Sequence, residues 1–198
     1  MCVDRYTNQR FYGVASHSAV RITLPSNRQP WPGGLPRNSG VILKRKDDGM
    51  ETDHHHFMGL AIDQAQRGLA EGNSAIGSVI VRDGTVIGEG HNTVMTDIDP
   101  TAHAETVAIR DACRKLGTTD LAGATCYTTV EPCPMCCWII VRSGIRRLVL
   151  GARYADLQGA DMGDYTVEGL VALTAKSLDV VTGIRAEECV AVRDQSTA

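Results

Sequence analysis

Two short segments contain side chains that can bind a metal ion. Residues 101–105 read Thr-Ala-His-Ala-Glu, and residues 131–136 read Glu-Pro-Cys-Pro-Met-Cys. Cys133 and Cys136 are three residues apart at a predicted helix start, so both sulfurs project from one face and the helix N-terminus favours their thiolate forms. Two such thiolates can hold zinc, and His103, also at a predicted helix start, can supply an imidazole nitrogen as the third ligand.

A zinc site with three protein ligands and one open position is of the catalytic type. The open position holds a water molecule whose pKa falls to about 7. Glu105 lies two residues beyond His103. A carboxylate there that does not bind the metal can take a proton from the water and return it to the substrate or leaving group. The residue types and their spacing therefore predict a hydrolytic centre.

The Cys-x-x-Cys pair by itself has other interpretations, namely a redox pair or half of a structural zinc site. The His-x-Glu pattern one predicted strand upstream favours catalytic zinc. Cys137 follows Cys136 directly, but on a helix its side chain points about 100° away, so we predict that it packs in the core. No role is predicted for the other four cysteines, Cys2, Cys113, Cys126 and Cys189.

The elements that position these residues alternate between helices and strands. A first helix is predicted from an N-cap at Asp53 to Gly72, and Asp83-Gly84, a strong hairpin signal, joins the first two strands. Further helices are predicted at residues 102–116, 134–142 and about 165–175. The strands are predicted at residues 76–82, 85–90, 124–130, 145–151 and 178–181. This order predicts an α/β fold with three layers, helix, sheet and helix (α/β/α), in which helices cover both faces of a five-stranded mixed sheet.

Length and charge define the predicted domains. The chain has 198 residues, enough for one ordinary domain and an appendage. Residues 1–52 hold four of the seven prolines, which predicts a poorly ordered N-terminal extension, and residues 53–198 are predicted to form the catalytic domain. Residues 1–53 hold eight Lys and Arg against five Asp and Glu, and residues 54–198 hold twelve against eighteen. The resulting charges of +3 and −6 make nucleic acid an unlikely partner of the domain.

The chain shows no sequence feature of a membrane or exported protein. The longest unbroken apolar run, residues 135–141, is far below the ~18 residues that span a bilayer. The first residues lack the apolar core of a secretory signal, and seven cysteines are an odd number for a disulfide framework. We therefore expect a cytoplasmic protein without membrane contact.

The His-Ala-Glu and Pro-Cys-x-x-Cys segments resemble the signature of the cytidine deaminase-like superfamily, over about residues 57–190. The resemblance is closest to its guanine deaminase, tRNA adenosine deaminase and fungal-type cytosine deaminase branches. It implies one Zn²⁺ per subunit on His103, Cys133 and Cys136, with Glu105 as proton shuttle. It also implies a homodimer, because family members build the active site near a subunit interface.

The resemblance extends to residues that would bind the substrate. Asn92 matches the family position where an asparagine hydrogen-bonds the substrate ring, the alternative being a loop residue that ends a strand. The backbone around Ala104 and Cys133, at helix N-termini, can bind developing negative charge or a carbonyl of the base. Guanine deaminases of this branch also use a second carboxylate, and Asp164 falls at the matching distance. Asp156 and Asp161 are its rivals, and all three are alternatively solvated loop acids.

The expected reaction is hydrolytic deamination of a free nucleobase or nucleoside by zinc-activated water, with release of ammonia. Residues 99–105 are similar to the guanine and tRNA-adenosine branches, whereas residues 74–77 and 142–145 are more similar to the cytosine branch. As the substrate, we favour guanine slightly over cytosine. Trp138 stands where most relatives have a small residue, and it either fills space against the sheet or reshapes the pocket. The alternatives are tRNA adenosine editing, deamination of a related heteroaromatic amine, and a non-enzymatic structural zinc module.

Overall fold

A computed structural model of the chain describes residues 51–159, 162–174 and 176–196, and the predicted extension at residues 1–50 lies outside this part. Five strands form one sheet in the order β2-β1-β3-β4-β5. Strand β1 pairs antiparallel with β2 and β3, and β3-β4 and β4-β5 are parallel pairs, so the sheet is mixed. The strands are β1 (Gly77–Arg82), β2 (Thr85–His91), β3 (Thr125–Val130), β4 (Arg147–Ala152) and β5 (Asp179–Thr182).

Helices cover both faces of the sheet. One face packs against α1 and α6 through a core that contains Phe57, Ala61 and Val192. The other face packs against α3, α4 and α5 through a core that contains Ile109 and Ile140. The predicted three-layer α/β/α fold is confirmed. The helices are α1 (Glu51–Ala70), α2 (Val94–Asp97), α3 (Ala104–Leu116), α4 (Pro134–Arg142), α5 (Val167–Ala172) and α6 (Ala186–Asp194), with one 3₁₀ turn (Tyr154–Asp156).

Two local features follow directly from glycine. The predicted hairpin turn forms at Asp83 and Gly84, whose φ angles of 51° and 72° suit a tight two-residue connection. Gly90 on β2 lets helix α3 approach the sheet closely, because a Cβ at this position would lie 2.5 Å from the backbone nitrogen of Ala108. This close contact fixes the position of α3, which begins one residue after His103.

Several predicted helix boundaries were wrong. Helix α1 begins at Glu51, so Asp53 lies inside it rather than at its N-cap, and α3 begins at Ala104 rather than at residue 102. Helix α5 covers only Val167–Ala172. Helix α6 was not predicted, because its nine residues follow Arg185 in a left-handed conformation and bury only Cys189 and Val192, which is too short an apolar pattern to read from sequence.

No helix in the described part of the chain is long and apolar enough to cross a bilayer.

Candidate active site

The two metal-binding segments meet at the N-termini of two neighbouring helices. His103 is the N-cap residue of α3, and Cys133 is the N-cap residue of α4, with Pro134 in the first turn. Both residues have extended backbone angles that turn the chain into the helix. Because α3 and α4 share one core on the same face of the sheet, their starts lie side by side, as the sequence required for a shared metal.

The three predicted ligands form a cluster that fits zinc. The ligand atoms of His103, Cys133 and Cys136 all lie within 4.8 Å of one another, and His103 Nδ1 is 3.5 Å from Cys133 Sγ. A tetrahedral zinc with Zn–S of about 2.3 Å and Zn–N of about 2.0 Å would place N and S about 3.5 Å apart. Within residues 51–159, 162–174 and 176–196, no other three His, Cys, Asp or Glu side chains come close enough to share a metal ion.

The electrostatics of the cluster favour a thiolate. Hydrogen bonds from Cys136 and His103 lower the pKa of the Cys133 thiol to about 4. The same contact with Cys133 raises the pKa of His103. Thr106 Oγ1 lies 3.7 Å from Cys136 Sγ, so the α3 helix also supplies a hydroxyl to the second cysteine. A cluster with thiolate character is the donor set that zinc prefers.

Glu105 lies in the first turn of α3 and is buried beside the cluster. Its burial raises the pKa of its carboxyl group to about 7. It is not one of the three ligand residues, yet it interacts with Cys133, His103 and Cys136. A carboxyl group whose pKa is close to the working pH can both accept and donate a proton, which is the property required of a general acid/base.

Ala104 directly follows His103, and Asn92 lies in a loop that is bound to the residue before His103. Ala104 is fully buried and is the first residue of α3, at the end of the helix where backbone N–H groups attract negative charge. Asn92 is buried just after β2, and its Oδ1 accepts a hydrogen bond from the Val94 backbone nitrogen at 3.1 Å. The Thr93 nitrogen donates to the Ala102 carbonyl at 3.0 Å. The loop that carries Asn92 therefore contacts the residue that precedes His103.

A cavity of about 470 Å³ is lined by Glu131, two residues before Cys133 in the zinc turn (residues 131–133), and otherwise by residues within 153–168. His103, Glu105, Cys133 and Cys136 are not among its lining residues. Asp164 is exposed and lines the cavity, and Tyr154 and Tyr165 line it as well. Burial raises the pKa of Tyr154, and the negative charges of Glu105 and Cys133 raise it further, so Tyr154 lies within electrostatic range of the zinc cluster. Cavities of this size hold small ligands.

The rivals of Asp164 have different positions. The Asp156 Oδ2 atom accepts a hydrogen bond from the Arg153 nitrogen at 2.8 Å and closes the 3₁₀ turn, and Asp156 does not line the cavity. Asp161 lies outside the described residues. Of the two described acids, Asp164 lines the cavity and Asp156 does not.

Trp138 and Cys137 are both on α4, on different sides. Cys137 is fully buried in the core, as predicted. Trp138 is 44% exposed and is not among the residues that line this cavity. Its role in the substrate pocket stays a prediction.

Sequence reasoning missed a group of polar residues that line the cavity. Glu131, immediately before Pro132-Cys133, is buried, and Arg153 Nη1 donates to its Oε1 at 3.0 Å. Arg153 also binds both carboxylate oxygens of Glu168, at 3.0 and 2.6 Å. A signal was present for Glu131, since a charged residue at the end of an apolar strand needs a partner when it is buried. No sequence pattern identified Arg153 or Glu168 as that partner.

The fold and the site together define an α/β/α metal-dependent hydrolase. Zinc in a site of this type supplies a Lewis acid that makes water nucleophilic near neutral pH. Comparison with known proteins agrees: the family described as the cytidine and deoxycytidylate deaminase zinc-binding region matches residues 51–152, just over half of the chain. The chain belongs to this family of zinc-dependent deaminases, enzymes that hydrolyse a C–N bond, and the predicted enzyme class and cofactor are confirmed.

Relatives in the family act on different substrates. The chain is 38% identical over 140 residues to the tRNA-specific adenosine deaminase of Bacillus subtilis, covering 70% of this chain and 84% of that protein. It is 41% identical over 113 residues to the guanine deaminase of the same organism, covering 57% and 72%. Against the tRNA-specific adenosine deaminase of Aquifex aeolicus it is 41% identical over 97 residues, covering 49% of this chain and 64% of that protein, slightly less than two thirds.

A solved structure from studies of A-to-I editing by tRNA:A34 deaminases at the wobble position is similar throughout its length. It superimposes with a TM-score of 0.62 at 37% identity and covers 69% of this chain and 98% of its own. The expectation that nucleic acid is not a partner is therefore not supported, because tRNA-specific enzymes are among the similar proteins. The acidic charge of the domain was too coarse a measure, since it averages over the surface and does not describe the mouth of the site.

Proposed function

We propose that this protein deaminates a free nucleobase or nucleoside, with guanine slightly favoured over cytosine. The carrying observation is the cluster of His103, Cys133 and Cys136 with the buried Glu105 on the same helix start as His103. A cavity of about 470 Å³, lined by Glu131 two residues before Cys133, has the size of a site that holds a small ligand. Similarity to a guanine deaminase supports the choice of base. The product would be the corresponding carbonyl compound together with ammonia.

In this proposal four residues act on the substrate. Glu105 takes a proton from the attacking water and delivers it to a ring nitrogen and then to the leaving amine. Because the Oδ1 of Asn92 is already bound to the Val94 nitrogen, its Nδ2 group is the part that donates to a ring acceptor. The backbone at Ala104, at the start of α3, binds developing negative charge. Asp164 on the cavity wall accepts hydrogen bonds from ring N–H or amino groups.

The charge of the cavity wall favours an uncharged substrate over a phosphorylated one. Among the lining residues, Glu131, Asp164 and Glu168 are acidic and Arg153 is basic. Arg153 is already bound by two of these carboxylates, at 3.0 and 2.6 Å. A substrate phosphate would thus meet excess negative charge without a free cationic partner on this wall. This supports a base or nucleoside rather than a nucleoside monophosphate.

The second candidate function is adenosine deamination in tRNA. It is favoured by similarity to tRNA-specific adenosine deaminases and to a solved structure of that type. In this case the target base would be flipped out of the RNA and enter the same cavity. Binding would then depend strongly on salt concentration, because phosphate contacts release counterions.

The test is a substrate panel with the zinc-loaded protein. Ammonia release is measured over guanine, cytosine, adenine, their nucleosides, their 5′-monophosphates and related triazines, and inosine formation is measured with tRNA. The Glu105→Gln variant is the control for background hydrolysis. We expect turnover of a base or nucleoside, with monophosphates at least tenfold poorer. Inosine formation in tRNA without turnover of any small compound would replace the first candidate with the second.

We also propose that the protein is a homodimer that works in the cytoplasm. Met135 and Trp138 are one helical turn apart on α4 and are both exposed, at 37% and 44%. Two large apolar side chains on one face of a helix beside the site suit a contact with a second copy. Light scattering of the wild type and of Trp138→Ser should give a dimer and a weakened dimer. A wild-type monomer at micromolar concentration would contradict this proposal.

The domain boundary is a further proposal that can be tested directly. We propose that residues 53–198 contain the whole catalytic domain and that residues 1–52 are an extension. Since α1 begins at Glu51, the suitable truncation starts at Met50. We expect the truncated protein to bind one zinc ion and to keep the kcat and KM of the full chain within about twofold. Loss of zinc or of folding on truncation would show that the extension belongs to the domain.

A further inference from the structure

Glu131 is a charged side chain in a place where charge is costly. It lies between the end of β3 and the zinc ligand Cys133, and it is only 4% exposed. A buried carboxylate is tolerated when hydrogen bonds and an opposite charge replace its lost hydration. Its partners therefore show what this carboxylate holds in place.

The partners of Glu131 lie at both ends of one segment between β4 and α5, which is described at residues 154–159 and 162–167. Its Oε2 accepts a hydrogen bond from the Tyr154 nitrogen at 3.3 Å, and its Oε1 accepts one from the Val167 nitrogen at 3.1 Å. The same Oε1 also accepts from Arg153 Nη1 at 3.0 Å. A single carboxylate thus binds the first and the last residue of the segment and the arginine that precedes it.

This segment is the wall of the cavity. It contributes Tyr154, Met162, Asp164 and Tyr165 to the lining. Tyr165 adds a further connection, because its hydroxyl donates to the Pro132 carbonyl at 2.7 Å. Residues 131–132, which lead directly to the ligand Cys133, are therefore bound to the segment at Tyr154, Tyr165 and Val167, through the Glu131 carboxylate and the Pro132 carbonyl.

Arg153 extends the connection to helix α5. Its guanidinium binds Glu168 through two hydrogen bonds, at 3.0 and 2.6 Å, in addition to Glu131. Paired bonds of this kind are strong and have a fixed geometry. The wall is therefore also connected, through Arg153, to Glu168 in the first turn of α5.

We propose that Glu131 is a positioning residue that fixes the substrate-binding wall relative to the zinc turn, and so determines substrate affinity. It does not touch the reacting atoms. Its carboxylate sets where Tyr154, Asp164 and Tyr165 stand with respect to the metal ligands. The inference rests on the proposed function only insofar as the cavity binds the substrate of that reaction.

The first test separates affinity from chemistry. Glu131→Gln keeps the shape and one acceptor oxygen, but it removes the charge and turns an amide group toward a backbone N–H that needs an acceptor. We expect KM to rise about tenfold, as for loss of a charge-assisted contact, with kcat within about twofold and one zinc per chain retained. Glu187→Gln, an exposed acid on α6, is the matched control and should leave both constants unchanged.

The second test does not depend on activity. Amide hydrogen exchange at residues 154–167 should be at least fivefold faster in Glu131→Gln than in the wild type, with exchange in α1 and β1 unchanged. If the wild type turns over none of the small compounds but this local change appears, the proposed function fails and the positioning role stands. If exchange and KM are both unchanged, or if exchange rises throughout the domain with loss of zinc, the positioning role is overturned.

Glu168→Gln provides a milder variant should Glu131→Gln fail to fold. It weakens the hold on Arg153 without changing the buried carboxylate. We expect KM to rise about threefold and exchange to increase at residues 153–168 alone. An unchanged KM together with unchanged exchange would overturn the proposal here as well.

Discussion

The zinc cluster and the cavity wall are held in place in different ways. His103 and Cys133 cap two regular helices whose shared core is packed against the sheet. The wall is described at residues 154–159 and 162–166, where it contains one 3₁₀ turn and no strand, and the Tyr154 and Val167 nitrogens at its ends are bound by the polar side chain of Glu131. The comparison teaches that the positions of the candidate metal ligands depend on apolar packing of regular elements, whereas the shape of the cavity depends on a few polar contacts.

This difference predicts two kinds of mutational effect. Changes at the zinc cluster should remove the metal or lower kcat. Changes on the wall should alter KM and substrate choice while leaving the metal bound. Four variants test the contrast, from the largest expected effect to the smallest.

The largest effect is expected from adjacent cysteines on α4. Cys136→Ser should lose zinc and reduce turnover to background, because one of the three ligand atoms is removed. Cys137→Ala, at the next residue but in the core, should keep one zinc per chain and most of the activity, with a stability loss of about 1 kcal/mol. Metal content by mass spectrometry and thermal unfolding check both. Zinc retained by Cys136→Ser would remove this cysteine from the ligand set.

Glu105→Gln should lower kcat by about 10²–10⁴-fold, the usual contribution of a general acid/base. Zinc should stay bound, because Glu105 is not among the three clustered ligand residues. Steady-state kinetics on the best substrate of the panel measure the effect. A variant with kcat within threefold of the wild type would show that proton transfer uses another group.

Thr106→Val tests a contact to one of the predicted metal ligands, Cys136. The Thr106 hydroxyl is buried and lies 3.7 Å from Cys136 Sγ. Its loss should weaken zinc binding by about tenfold, since partners behind the ligands typically contribute 10- to 100-fold. Competition with a chelator measures the zinc Kd, and Thr118→Val, at an exposed loop position, is the control. Equal Kd values for the two variants would contradict a role for the hydroxyl.

The smallest effect is expected on the wall itself. Asp164→Asn should raise KM for the preferred base by about threefold, with unchanged zinc, because an exposed hydrogen-bonding group contributes little in water. Asp156→Asn, at the rival acid outside the cavity lining, should leave KM unchanged. A larger rise in KM for Asp156→Asn than for Asp164→Asn would assign the role of second carboxylate to Asp156 instead of Asp164.

The fold was largely predictable because its signals are local. The Asp83-Gly84 turn, the five apolar strand segments and most helices could be read from composition and period. Helix α6 was missed because it has only nine residues and buries two. The N-cap at Asp53 was misplaced because α1 continues to Glu51. Helix ends depend on contacts that the local pattern does not contain.

The candidate site was predictable to a similar degree, and for a similar reason. His103, Glu105, Cys133 and Cys136 lie at short fixed spacings on helix starts, and the structure brings the three ligands within 4.8 Å. Asp164 was chosen from a longer distance that two other acids nearly share, and the exposure of Trp138 followed from no spacing. The role of Glu131 was also hidden, because Arg153 and Val167 are 22 and 36 residues away.

The sequence by itself determined the α/β/α scaffold of this protein and the candidate zinc cluster of His103, Cys133 and Cys136, and it predicted Glu105 as the carboxylate for proton transfer. Only the tertiary structure decided how the cavity is built, that Trp138 is exposed, and that a buried glutamate connects the cavity wall to the zinc turn. The physical reason is the distance along the chain between the residues that are in contact. Helix starts place side chains through bonds within one turn, whereas an irregular wall takes its shape from hydrogen bonds between residues distant in the chain.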